Sequence, residues 1–131
     1  MSTAMMYYLA WHEDDWLDEI LDRFPEVNAV VPTAKTFSML AEQRRAGEVT
    51  RAVLVLNAAQ EQERCHAFLQ LCMADEHLSR DPLYIVGLSP EEEKRWQDAY
   101  PHAKIIVITG FAVEFDYDAV LDRMEIDLGG A

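Results

Sequence analysis

Five short apolar runs, each followed by a longer stretch of helical period, constrain what this chain can fold into. The runs are Met5 to Trp11, Val27 to Val31, Ala52 to Leu56, Leu83 to Val86 and Ile105 to Ile108. The last three, exemplified by Ala52-Val53-Leu54-Val55-Leu56, are apolar on both pleat faces. A strand that is apolar on both faces is covered on both sides, as in a parallel sheet.

The segments between the runs repeat at helical spacing. Trp16, Leu17, Ile20, Leu21 and Phe24 form one stripe, ended by Pro25. Phe37, Leu40 and Ala41 mark a second helix, and Cys65, Phe68, Leu69 and Cys72 a third. The fourth opens on Ser89-Pro90-Glu91-Glu92, a capping box with proline at the first helical position, and carries Trp96 and Tyr100. The fifth opens near Asp116 or Asp118 and stacks Tyr117, Val120, Leu121 and Met124.

Strand and helix thus alternate five times. Right-handed crossovers and two covered faces predict a doubly wound α/β fold. Its expected form is a five-stranded parallel sheet of order 2-1-3-4-5 in a flavodoxin-like, three-layer sandwich. Residues 1–131 read as one domain, with Gly129-Gly130-Ala131 as a frayed end or the start of a linker. Ligands of such sheets sit at the carboxyl ends of the strands. Here those ends are His12 to Asp15, Asn57 to Ala59, Gly87 to Ser89 and Thr109 to Phe111.

Composition narrows the function. Twenty-four Asp and Glu against eleven Lys and Arg give a formal charge of −13 over 131 residues. Such a surface repels phosphate backbones and anionic lipid heads, so no direct nucleic-acid partner and no membrane partner are expected. The amino terminus lacks a basic segment of the secretory kind, and no apolar run approaches the roughly 20 residues of a membrane span. Cys65 and Cys72 lie about 10 Å apart along one helix, too far for a disulfide, and read as small buried hydrophobes. A reducing, cytoplasmic setting fits.

The five glycines form neither a dinucleotide loop nor a Walker loop, and the first strand runs into His12-Glu13-Asp14-Asp15. A phosphate placed there would meet carboxylates rather than N–H donors. The acidic run has two readings. Asp14 or Asp15 caps the helix at Trp16, or Glu13 and Asp14 hold Mg²⁺. Ser89 reads as an N-cap rather than a nucleophile, and no serine elbow is present.

Over Met5 to about Leu128, the order and spacing of these elements resemble the receiver domain of bacterial response regulators. That resemblance implies an acidic pair after strand one for Mg²⁺, an Asp phosphoacceptor ending strand three, a hydroxyl after strand four and a lysine after strand five. Here the pair falls on His12 and Glu13, with Asp14 following, and the acceptor position is Asn57. The hydroxyl position is Gly87, the lysine position is Thr109, and the aromatic position on strand five is Ile106. After strand three the chain reads Ala58-Ala59-Gln60-Glu61, without the family's Met-Pro and Asp-Gly.

The chain therefore resembles atypical, or pseudo-, receivers. That resemblance implies a non-enzymatic signalling or regulatory domain without a cofactor. It would act on a protein partner or as a homodimer, either as an adaptor or within a transcriptional regulator. The implied docking face is the fourth helix, fifth strand and fifth helix, with Lys94, Arg95, Trp96, Tyr100, His102, Phe115 and Tyr117. Trp96 and Tyr100 have a second reading, as packing against the sheet. The alternatives are a Mg²⁺-dependent phospho-switch through Glu13 and Asp14, a small-ligand-binding or enzymatic domain over Asn57 and Thr109, and an acidic mimic of nucleic acid.

Overall fold

The computed structural model describes residues 3–24, 26–108 and 115–129. Five strands and five helices alternate along them. They are β1 (Ala4–Leu9), α1 (Asp15–Arg23), β2 (Asn28–Val30), α2 (Ala34–Arg45), β3 (Arg51–Asn57), α3 (Gln62–Met73), β4 (Leu83–Val86), α4 (Pro90–Ala99), β5 (Lys104–Ile105) and α5 (Tyr117–Asp127). A short 3₁₀ turn, Leu78–Arg80, precedes β4. The strands form one parallel sheet of order β2-β1-β3-β4-β5, the doubly wound α/β arrangement expected from the sequence.

The two-sided apolar runs divide cleanly between two cores. Ala52, Leu54 and Leu56 of β3, with Leu83 and Ile85 of β4, pack into a core with α2, α3 and α4. Val53 and Val55, with Tyr84 and Val86, point the other way into a core with α1 and α5. The alternation follows from the two-residue period of a strand. Each fully buried aliphatic side chain contributes about 1.5–3 kcal/mol. Cys65 and Cys72 are free and buried in the first core. Burial pushes their thiols up to about 11 and about 12, so neither is a nucleophile at neutral pH.

Three strands are shorter than their apolar runs, the second covering only Asn28–Val30 of Val27 to Val31. The first run extends to Trp11, but β1 ends at Leu9, and the last bond to its neighbour is Ala10 N–H to Val30 O, 3.2 Å. The fifth run reaches Ile108, but β5 ends at Ile105, with one further bond from Ile106 N–H to Ile85 O, 2.9 Å. β2 and β5 are the outer strands of the sheet, and each bonds to a single neighbour among the described residues. Ladder bonds, rather than apolarity alone, therefore set the strand ends.

A buried ion pair fixes the opposite end of the sheet. Arg44 on α2 grips Asp81 through two bonds, Nε to Oδ2 at 2.8 Å and Nη2 to Oδ1 at 3.1 Å. Its Nη1 also donates to Val49 O at 3.2 Å. Asp81 precedes β4, so the pair ties the end of α2 to the entry of a central strand.

Candidate functional site

The site is built at the carboxyl ends of β1 and β3. The second of these strands places Asn57 at its last position, 7% exposed. The loop after β1 brings Asp14 to the N-cap of α1, where its Oδ1 accepts from Leu17 N–H at 3.0 Å. The helix therefore begins at Asp15, and Asp14 is its cap, one of the two readings of the acidic run.

The same carboxylate has two further donors. Tyr8 Oη–H donates to Oδ1 at 2.6 Å, and Asn57 Nδ2–H donates to Oδ2 at 2.8 Å. Asn57 Nδ2 also lies 3.0 Å from the Tyr8 hydroxyl oxygen. Asn57 Oδ1 accepts from Ala59 N–H at 2.9 Å. A backbone N–H can only donate, so Oδ1 faces Ala59 and the amide nitrogen must face Asp14. Burial first, and the bond to Asp14 second, push the Tyr8 hydroxyl far above its ordinary value, so it stays protonated and donating.

Gly87, after β4, completes the arrangement. Its φ is +84°, and a Cβ there would fall 2.1 Å from Asn57 Oδ1 and 2.9 Å from Cγ. A serine or threonine at 87 cannot coexist with Asn57 in this position. The space where the resemblance expects a hydroxyl belongs to the asparagine.

His12 and Glu13 are exposed beside this network. No group of three metal-ligating side chains occurs among the described residues. Three donors meet Asp14, two on Oδ1 and one on Oδ2. The crevice lined by Trp11, His12, Glu13, Asp14, Asn57 and Gln60 holds about 60 Å³, while a neighbouring pocket lined by Asp14, Gly87, Leu88, Ile108 and Tyr117 holds about 310 Å³, the lower end of the about 300–1,000 Å³ of small-molecule sites. Thr109, the lysine position, lies outside the described residues, as does Phe111.

The neighbouring loops are tied down. Glu92 Oε1 accepts from Ser89 N–H and Oγ–H, both at 3.0 Å, and Oε2 accepts from Gln62 Nε2–H at 2.8 Å. Ser89 is thus part of the expected capping box. Its backbone N–H, then Gln62, hold the Glu92 carboxyl below the usual range. Gln62 also donates to Ala58 O at 3.0 Å, so one side chain joins the starts of α3 and α4 to the end of β3.

The expected docking residues divide. Lys94, Arg95 and His102 are exposed, while Phe115 and Tyr117 are half-buried. Trp16 meets Phe115 at 5.8 Å and Tyr117 at 4.8 Å, both edge-on. Trp96 and Tyr100 are corrected: at 0% and 1% exposure they are core, not surface. Four residues apart, they share the inward side of α4 and pack over β4 and α3.

Two participants escaped the sequence reading. Tyr8 in an apolar strand reads as packing. His66, on α3, stacks on Trp96, a contact between residues distant in the chain. Compared with protein-family models, curated proteins and solved structures, the chain matches none. No described helix is long and apolar enough to cross a membrane.

Proposed function

We propose that this chain is a phosphorylation-independent, receiver-like domain that regulates through protein contacts. The observation that carries the reading is the 2.8 Å bond from Asn57 Nδ2 to Asp14 Oδ2. An amide donor stands where the resemblance puts a nucleophilic carboxylate, and it occupies one oxygen of the acid at the end of β1. An amide oxygen is a poor acceptor for a phosphoryl group, and the position where the resemblance expects a lysine is Thr109. Ser89, Glu92 and Gln62 tie the β4–α4 loop to the start of α3. Lys94, Arg95 and His102 on and after α4 are exposed, and arginine is a residue type that anchors contact with a partner or a second copy.

The test is incubation with Mg²⁺ and acetyl phosphate, followed by intact mass and tryptophan emission. The expected result is no phosphoryl adduct and no saturable Mg²⁺ response. A phosphorylated chain overturns the reading and restores the phospho-switch. Sedimentation of the chain and of Arg95→Glu then separates self-association through α4 from contact with another protein.

A further inference from the structure

β2 is an outer strand, with β1 as its single neighbour among the described residues. In a parallel ladder, alternate residues of an outer strand turn both backbone groups to the neighbour, and the residues between them turn theirs away. Val30 pairs with Leu9, and its carbonyl accepts from Ala10 N–H at 3.2 Å, so Val30 faces β1. Ala29 therefore points its N–H and C=O outward, where neither meets a partner among the described residues, and the residue is exposed. The next outward residue, Val31, is 40% exposed, and its carbonyl accepts from Thr33 N–H at 2.9 Å.

Natural sheets guard such edges with charge, proline or a bulge. The opposite edge strand, β5, carries Lys104, whereas Val27-Asn28-Ala29-Val30-Val31 has neither a charge nor a proline. A cavity of about 230 Å³ opens at the carboxyl end of β2, walled by Ala29, Val30 and Val31 together with Trp11 and Leu17. That volume suits one large apolar side chain and falls short of the about 300–1,000 Å³ that encloses a whole small molecule. Exposed Glu13 is part of its wall, and exposed Glu26 precedes the other end of the strand.

We propose that the β2 edge docks an extended, basic peptide segment of a partner protein, which adds a strand beside Ala29 and seats one apolar side chain in the cavity. Main-chain bonds to Ala29 supply the pairing, and the cavity supplies side-chain selection. Glu13 and Glu26 at the two ends of the edge, in a chain of formal charge −13, favour lysine or arginine in the segment. The same charge opposes a second copy, which would bring another −13 to the contact. β2 and β5 are opposite edges of the sheet, so this surface is separate from the exposed residues of α4 and adds to the contacts of the proposed function. A chain that accepts a phosphoryl group would overturn that function and leave the β2 edge as it is.

The test titrates the chain with blocked heptapeptides of the form Lys-Thr-X-Thr-Val-Thr-Lys, X being each apolar residue in turn, and follows amide shifts and hydrogen exchange. At least one peptide should bind and slow exchange of the Ala29 amide about tenfold or more at saturation. Replacing both of its lysines by glutamate should weaken it about tenfold. A29P removes the outward N–H, leaves the bonds to β1 in place and should abolish binding. A29K guards the edge with a like charge at an exposed site, should do the same, and serves as the second arm if A29P does not fold. The proposal is overturned by a panel in which no peptide binds, by protection away from Ala29, by equal binding of the glutamate peptide, or by binding that the variants leave unchanged. Ala29 protection that grows with chain concentration in the absence of peptide also overturns it and gives the edge to a second copy.

Discussion

Asn57 Oδ1 occupies the space that a side chain at residue 87 would need: a Cβ on Gly87 would come within 2.1 Å of it. The two positions are therefore coupled, and changing either alone should unbalance the site. G87A should destabilise the fold by about 1–3 kcal/mol from left-handed strain and a comparable overpacking penalty. Urea unfolding of G87A, N57A and the double variant measures the coupling. Removing the Asn57 side chain should relieve the overpacking and leave the backbone strain, so the double variant should cost less than the sum of the two singles.

N57D tests the electrostatics of the same pair. In the native chain an amide N–H meets Asp14 Oδ2 at 2.8 Å. An aspartate there would set two carboxylates against each other, and one would keep its proton to a higher pH than in the unfolded chain. A carboxyl whose folded value is raised favours the native state at low pH, and that advantage is lost as pH rises through the raised value. The stability gap between N57D and the native chain should therefore be wider at about pH 7 than at about pH 5, the window above an unfolded Asp value of about 3.9. Equal gaps at the two pH values would show that the carboxylates do not meet.

Much of this architecture was legible because it is periodic. The alternation of Ala52, Leu54 and Leu56 with Val53 and Val55 specifies two covered faces, and both cores follow it. Ser89-Pro90-Glu91-Glu92 marks the start of α4 because a capping box is a local, chain-adjacent device. The site was legible only in position. Asn57 and Asp14 could be placed at strand ends, but their bond spans distant parts of the chain, and Tyr8 joins it from a strand that reads as core. The role of Gly87 depends on where a side chain from another strand lies. Trp96 and Tyr100 satisfy a core stripe and an interface equally well as sequence, and only the depth of α4 against the sheet decides for the core.

Glu61 should respond to relief of backbone strain. It is the one described non-glycine residue with positive φ, at +54°, and it precedes α3 without a side-chain cap. Its carboxylate reaches only an exposed contact with Arg64 at 3.9 Å, which contributes little. A left-handed conformation costs an L-residue roughly 1–2 kcal/mol, which glycine avoids at the expense of a freer unfolded chain. E61G should raise stability by about 1 kcal/mol or less and leave the Asn57 network intact, read by urea midpoint and by the Ala59 amide shift.

Arg44 and Asp81 should behave as a unit rather than as two independent residues. Both side chains are largely removed from water, at 12% and 6% exposure, and Asp81 is held by two guanidinium bonds. R44M leaves the carboxylate in a poorly solvated place without its cation, and about 3–5 kcal/mol of stability should go with it. The double variant R44M/D81L removes both charges and lets apolar side chains fill the same volume. Its stability should return most of the way to the native value, since a buried pair repays its own desolvation only narrowly. The comparison by urea unfolding separates two roles for the pair. Recovery in the double variant would show that matching charge, rather than charge itself, is what this corner of the fold needs. A double variant as unstable as R44M would show instead that the guanidinium bond to the Val49 carbonyl holds the end of α2 in place.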